Sequence, residues 1–300
     1  NDDITEINPN YYEVLGIDEN EANVLREFND SVSEYLNVGA GIGGGFTNTN
    51  ELRVMSYHEA INGPDGEQWR AEVRTEHGRM VSSDVFQAVR RSELPEGVIV
   101  IDTVWAMKKK SSGKFRGRVN VRGFKQIEGQ HFDGSSISAP VTNGMTIRLV
   151  ITLMLASGGI AHVVDVKGAF LYGEFDDGEK IYIKIPMGFE EFYEEDEVLL
   201  LKKCLYGLKQ AAMAFYRKLL AATSNIGLKR SSADPCLYYK WEGGRVVIMI
   251  SWIDDSMIVD PSDLVMKLKK ELMKQFECDD CGELTEYIGN KIECVGEDAI

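Results

Sequence analysis

Two apolar runs separated by a pair of acids are the clearest feature of the hydrophobic pattern. In residues 246–259, Val-Val-Ile-Met-Ile-Ser-Trp-Ile precedes Asp254 and Asp255, and Ser-Met-Ile-Val follows them. Runs rich in Val, Ile and Met read as buried strands. Asp favours turns and weakens a strand ladder, so the pair falls at the tip of a predicted hairpin. A second apolar run, Ile160-Ala-His-Val-Val-Asp165, predicts another strand that ends in a carboxylate. His162, on that strand, reads as packing rather than as a ligand.

The remaining pattern alternates helices with strands. Residues 56–77 predict a helix with Trp69 and Val73 on one face, interrupted by Gly63-Pro-Asp-Gly66. Residues 98–107 predict a strand. Residues 108–114 predict a hairpin turn with Ser111-Ser-Gly113 at its tip. Residues 115–122 alternate basic with small or apolar side chains, the pattern of a strand with one charged face. Residues 143–156 are apolar nearly all round and stop at Gly158-Gly159, which predicts a buried helix. A strand is expected over 181–185, a solvated acidic loop over 190–197, a helix over 209–224 stopped by Gly227, and a Lys-rich helix over 261–276. These elements make an α+β fold over residues 51–300. Residues 1–50 are acidic, then glycine-rich, and read as a linker or partly disordered lead-in holding one helix over 18–35.

Charge changes the picture locally. The net charge is −15 and pI ≈ 4.8, which globally disfavours a nucleic-acid partner. Yet residues 108–125 hold eight basic side chains and no acid. A wholly basic strand face suits a polyphosphate or a nucleic-acid backbone. The five scattered Cys, with no signal peptide and no long apolar span, predict an intracellular setting and no membrane anchor. A chain that opens on Asn1 is expected to be a piece of something longer. Gly39-Ala-Gly-Ile-Gly-Gly44 matches a dinucleotide fingerprint only formally, because no apolar strand precedes it and no helix follows. Cys278-Asp-Asp-Cys281 has only Cys294 near it, too few ligands for zinc.

The candidate chemistry lies with the acids. Adjacent carboxylates repel unless a cation sits between them, and oxygen donors suit Mg²⁺. Phosphoryl transfer with two metal ions needs carboxylates from at least two strand ends, converging on ions ~4 Å apart. Asp165, Asp254 and Asp255 could supply them.

These residues carry a resemblance. Trp252-Ile-Asp-Asp255 resembles the Tyr-x-Asp-Asp turn of reverse transcriptases, and Asp165-Val-Lys-Gly-Ala-Phe170 resembles their first catalytic motif. Leu205-Tyr-Gly-Leu-Lys-Gln-Ala-Ala-Met-Ala-Phe-Tyr216 is similar to a block of copia-type LTR retrotransposon polyproteins. So is Val164-Asp-Val-Lys-Gly-Ala-Phe-Leu-Tyr-Gly173, continuing to Ile181-Tyr-Ile-Lys-Ile-Pro-Met-Gly-Phe189. The resemblance runs in order over residues 59–292. It implies a polymerase palm, an antiparallel sheet backed by helices, with a basic fingers hairpin; the thumb and ribonuclease H domains of the family have no trace here. It implies RNA- and DNA-directed DNA synthesis from deoxynucleoside triphosphates on an RNA template and a DNA primer. Two Mg²⁺ ions, with Mn²⁺ as the alternative, would be held by Asp165, Asp254, Asp255 and the backbone of Val166. Arg118 and Lys109, as one of the lysines 108–110, would meet the triphosphate. Phe170 would exclude a ribose 2′-hydroxyl, and Tyr206, Gly207, Lys209 and Gln210 would lie against the nucleotide. The family's setting is a virus-like particle, with the rest of the polyprotein and a further copy of the chain as partners. Ala212, Met213, Phe215 and Trp252 depart from the family's usual residues. The departures at Ala212, Met213 and Trp252, with the missing thumb, favour an alternative, a non-catalytic palm-like nucleic-acid-binding remnant, which the three intact carboxylates oppose. A third reading, an RNA-copying palm enzyme making RNA, is opposed by Phe170.

Overall fold

A serine cap opens the first helix among the described residues: the Ser56 hydroxyl accepts from the Glu59 amide at 3.4 Å, and α1 runs Tyr57–Ile61. Pro64 and the flanking glycines then break the helix, as the sequence predicts. Helix α2, Gly66–Ser82, resumes with Trp69, Val73 and Met80 buried along one side. The computed structural model describes residues 54–110, 113–176 and 178–292, all within a compact unit of residues 47–300. The lead-in over 1–50, its helix and its glycine motif lie outside the described residues, as do Ser111, Ser112 and Cys294.

Strands β1 (Phe86–Arg90), β2 (Val100–Ile101), β3 (Thr103–Lys109) and β4 (Phe115–Val121) follow. The strand expected over 98–107 is therefore broken at Asp102. Its carboxylate binds Lys125 and, at 2.6 Å, Lys184. Those two ammonium groups hold its pKa down at about 2. The break lets β2 join one sheet while β3 turns away and pairs with β4 in an antiparallel hairpin, Lys109 opposite Phe115 and Thr103 opposite Val121.

Next come α3 (Gly144–Ser157), β5 (Ile160–Val166), β6 (Tyr182–Ile183), β7 (Glu197–Leu201) and α4 (Ala211–Asn225). Strand β6 is shorter than the expected 181–185, although the Lys184 amide continues the parallel ladder to the Ile101 carbonyl; Pro186 beyond it has no amide to offer. The last elements are β8 (Lys229–Arg230), β9 (Leu237–Glu242), β10 (Arg245–Trp252), β11 (Asp255–Asp260), α5 (Ser262–Gln275), β12 (Cys278–Glu283), β13 (Glu286–Tyr287) and β14 (Asn290–Lys291).

The principal sheet has six strands in the order β12-β5-β11-β10-β9-β8, and all its neighbours are antiparallel. Alternation along the strands gives it two apolar faces. Val164, Val166, Val247, Met249 and Ile258 pack with α4 and α5, while Ala161, Val163, Ile250, Met257 and Val259 pack with α3. A smaller sheet, β1-β7-β6-β2, is mixed, since β2 and β6 run parallel.

Three expectations need correction. Helix α3 is not buried all round. Ile147, Val150, Ile151 and Met154 reach the sheet, but Met145, Leu149 and Leu153 on the opposite side are 54%, 57% and 49% exposed. Apolar character all round therefore does not mean burial all round. The acidic loop is not merely solvated: Glu191 holds Arg74 at 3.0 Å, and Glu190 and Glu197 cap the amides of Gly188 and Glu194. His162 is not simple packing either, because its Nδ1 meets the buried Lys269 ammonium at 2.9 Å, which also holds Asp280. No helix among the described residues is long and apolar enough to cross a membrane.

Candidate active site

The acidic tip is made by the tightest loop a hairpin allows. Trp252 and Asp255 are the last paired residues of β10 and β11, so only Ile253 and Asp254 turn the chain. Two-residue hairpin loops need a positive φ. Here Ile253 takes it, at 53°, a strained conformation for a β-branched residue that costs roughly 1–3 kcal/mol. Asp255 stands opposite Asp165 across β11 and β5. Asp279 stands opposite Asp165 on the other side, across β12. The Val166 amide donates to the Asp254 carbonyl at 2.9 Å, which fastens the turn to the end of β5. The strand register thus brings Asp165 beside Asp255 and Asp279, with Asp254 in the adjoining turn.

Their titration records the crowding. Burial, then the charges of Asp254, Asp165 and Glu286, push Asp255 up to about 6. Burial, Asp254 and Asp279 raise Asp165, against the pull of Arg118 and Lys110. A carboxyl with a raised folded pKa contributes stability below its unfolded pKa, near 3.8, and loses it as pH rises through about 6. The difference between those two values corresponds to roughly 3 kcal/mol, and screening of a half-buried group leaves about 1–2 kcal/mol. In divalent-free buffer Asp255→Asn is therefore expected to be more stable than the parent at pH 7.5 and equal to it below pH 3.5. Paired urea melts at the two pH values check this; an equal difference at both would contradict it.

A cleft of about 440 Å³ opens beside Asp165. It is lined by Lys110, Lys114, Arg116 and Arg118 of the β3–β4 hairpin, by Arg79 of α2, by Lys167 and Lys203, and by four acids, Asp165, Glu72, Glu277 and Asp279. Arg118 lies with its guanidinium carbon 4.3 Å above the Tyr206 ring, and Tyr206 meets Phe170 edge to face at 4.9 Å. The Arg118 Nε is buried and has no acceptor among the described residues. The Arg118 side chain also lines the cleft, where a guanidinium suits an anion.

Lys109 is not in that cleft. Its ammonium pairs with Asp65 at 2.8 Å and covers the Phe115 ring at 4.7 Å. Lys110, one residue further toward the turn, lines the cleft instead. Gln210 is spent within the protein: it is buried, accepts from Gln126 at 2.9 Å and donates to the His131 carbonyl at 2.9 Å. Lys209 is exposed with its ammonium over Phe132. Gly207, with φ of 87°, packs backbone against backbone. A Cβ there would lie 2.2 Å from the Val121 carbonyl oxygen, and one on Gly123 would lie 2.0 Å from the Gly207 carbonyl oxygen. Gly123→Ala is expected to cost roughly 2 kcal/mol or more, read as a fall in melting temperature; an unchanged melt would refute the tight docking. Lys167, Lys114, Arg116 and Arg79 are cleft residues to which the sequence pattern gives no individual role, whereas Lys110 is one of the three lysines it offers as phosphate contacts. Lys167 is visible there as a cation two places beyond the strand-end acid; in the fold it holds Asp279 at 2.9 Å and Glu277 at 3.3 Å.

The donor set fits a hard divalent cation: carboxylate oxygens whose mutual repulsion a cation would relieve. Among the described residues no three acidic, His or Cys side chains gather into a ready-made metal cage. Mg²⁺ is ordinarily shared between one or two carboxylates and a substrate's phosphates, which suits an acidic strand end bordering a phosphate-sized basic cleft.

A family model described as reverse transcriptase (RNA-dependent DNA polymerase) matches residues 84–298. The retrovirus-related Pol polyprotein from transposon TNT 1-94 of Nicotiana tabacum is 31% identical over 244 residues, 79% of this chain and 18% of that protein. The Pol polyprotein from transposon RE1 of Arabidopsis thaliana is 28% identical over 237 residues, 77% of this chain and 16% of that protein. The putative transposon Ty5-1 protein of Saccharomyces cerevisiae is 30% identical over 130 residues, 43% of this chain and 42% of that protein. The chain thus spans less than a fifth of the two plant polyproteins it matches.

Proposed function

The chain belongs to the reverse transcriptase (RNA-dependent DNA polymerase) family, and from that premise we propose that it is the nucleotidyl-transfer core of a retrotransposon polyprotein. The six-stranded sheet is the palm and the β3–β4 hairpin the fingers. The observation that carries this is one meeting of opposite charges. Asp165, raised by burial and by the charges of Asp254 and Asp279, opens onto a cleft that Arg118 also lines.

Asp165 and Asp254, with Asp255 and the Val166 backbone in support, would hold divalent ions, Mg²⁺ or Mn²⁺, whose chemistry is to acidify the primer 3′-hydroxyl and neutralise the leaving pyrophosphate. Arg118 neutralises charge on the triphosphate, held flat by Tyr206. Lys110, Lys114 and Arg116 extend the basic wall along the phosphates and the template backbone. Phe170, wedged against Tyr206, closes the sugar side and excludes a 2′-hydroxyl. The substrates are deoxynucleoside triphosphates with an RNA template and a DNA primer. The setting we propose is an intracellular, virus-like particle, with the polyprotein's thumb and ribonuclease H regions as partners; the relatives' being transposon Pol polyproteins supports it.

Primer extension on an RNA template tests this reading. Deoxynucleotides should be incorporated, ribonucleotides not, and Phe170→Ala should relax that preference by roughly 10- to 100-fold. Duplex binding without any incorporation would select the non-catalytic alternative, which Ala212, Met213 and Trp252 favour.

A further inference from the structure

Strand β4 has an outer edge with no strand beside it among the described residues. The amides of Gly117, Val119 and Val121 point along that edge, away from β3. Gly117 donates to Glu72 Oε1 at 3.0 Å. The buried Glu76 carboxylate lies by the Val119 amide, whose dipole works against the burial that raises its pKa. Val121 donates to the Tyr206 carbonyl at 2.7 Å. Glu72 and Glu76 are four residues apart on α2, a rise of about 6 Å. Residues 117 and 119 are two apart on a strand, about 6.7 Å. The two spacings match closely enough for one helix face to serve alternate strand amides.

The contact is a continuous seam rather than two isolated bonds. Asp65 at the helix start holds Lys109 at 2.8 Å. Trp69 meets Phe115 edge to face at 4.7 Å. Glu72 and Glu76 follow, then Arg79, which pairs with Glu76 and lines the cleft. The positions 65, 69, 72, 76 and 79 fall on one side of a helix. Gly117 allows the approach, since a Cβ there would come 3.3 Å from Glu72 Cγ and 3.1 Å from Trp105. Glu76 is only 3% exposed. A carboxylate is buried at a cost, and here the Arg79 guanidinium pairs with it beside the Val119 amide. This helix, Gly66–Ser82, precedes residues 84–298, the part matched by the polymerase family.

We propose that Glu72 and Glu76 are positioning residues for nucleotide binding: they replace a missing strand along the β4 edge and so aim Arg118 into the Asp165 cleft. Arg118 sits between the two pinned residues. Fixing the peptide groups on both sides of it fixes the direction of its Cα–Cβ bond, and a site needs its groups held to about 0.5 Å. Without the pins the hairpin is an edge ribbon, free to twist relative to the palm. The inference rests on reading the cleft as the nucleotide site.

The full chain is compared with a Glu72→Ala/Glu76→Ala variant and a Glu72→Gln/Glu76→Gln variant, because Gln keeps an acceptor oxygen and removes the charge. Amide hydrogen exchange and steady-state primer extension are both read. In the Ala variant, exchange at Gly117 and Val119 should accelerate roughly 10- to 100-fold while Val164 and Ile248 in the palm stay protected. The KM for the incoming nucleotide should rise about tenfold, with kcat and primer–template affinity within about threefold. The Gln variant should restore both readouts. Unchanged exchange and unchanged KM in the Ala variant would overturn the proposal, as would a Gln variant as impaired as the Ala one. Should the palm amides also lose protection, Glu72→Ala alone, at a half-exposed position, is read at Gly117 against the same criteria. A parent chain that extends no primer would sink the polymerase reading, yet leave the exchange arm to decide whether the pins exist.

Discussion

Asp254→Asn is expected to lower primer extension by roughly a thousandfold or more while leaving the fold intact or slightly more stable. The fold survives because the substitution changes one side-chain atom at a turn position that Asn also favours. The bond that fastens this turn to β5 uses the Asp254 backbone carbonyl, which Asn retains. The charge does not survive, and after burial it is the charge that does most to raise Asp165 and Asp255. Removing it should therefore ease the crowded acids as it abolishes ion binding. A variant that is inactive and unfolded would point to a structural part for Asp254; one that is folded and fully active would remove it from the chemistry. Single-turnover extension together with a thermal melt separates these cases.

Arg118→Gln carries the second large effect. Loss of one charge-stabilising donor in a preorganised site ordinarily costs a factor of about 10²–10³, and here it should appear in kcat/KM for the incoming nucleotide, not in primer–template affinity. Arg118→Lys should recover only part of it. Lysine keeps the charge but cannot lie flat on Tyr206 or present the planar fork that a phosphate accepts from two sides. Single-nucleotide incorporation across a concentration series reads the outcome. Equal loss with every primer–template and no change in nucleotide KM would assign Arg118 to duplex binding instead.

Much of this arrangement is visible in the chain itself, for physical reasons. A buried strand needs an unbroken apolar run, so β5, β10 and β11 announce themselves, and Asp can only punctuate such runs at their ends. Asp165 and the Asp254–Asp255 turn are therefore legible, and so is the alternating basic face of β4. Positions settled by long-range pairing are not. Lys108, Lys109 and Lys110 look alike in sequence; the hairpin's register, with Asp65 waiting at the α2 start, ties down Lys109 and leaves Lys110 in the cleft. Gln210 could point at a ligand or into the protein, and Gln126, more than eighty residues away, decides it. Glu72 and Glu76 look like ordinary solvated helix residues until the edge of β4 is laid beside them. The exposed outer side of α3 runs against expectation because periodicity reports that a helix is apolar, not how much neighbour it has to cover it.

Anomalous diffraction from crystals of the full chain, with an RNA template, a DNA primer, an incoming deoxynucleotide and Mn²⁺, is the most direct measurement. Two manganese peaks bounded by Asp165 and Asp254, with the triphosphate reaching Arg118, are the expected result. Nucleic acid bound with no manganese at the end of β5, or the triphosphate held away from the Asp165 cleft, would contradict a catalytic centre there.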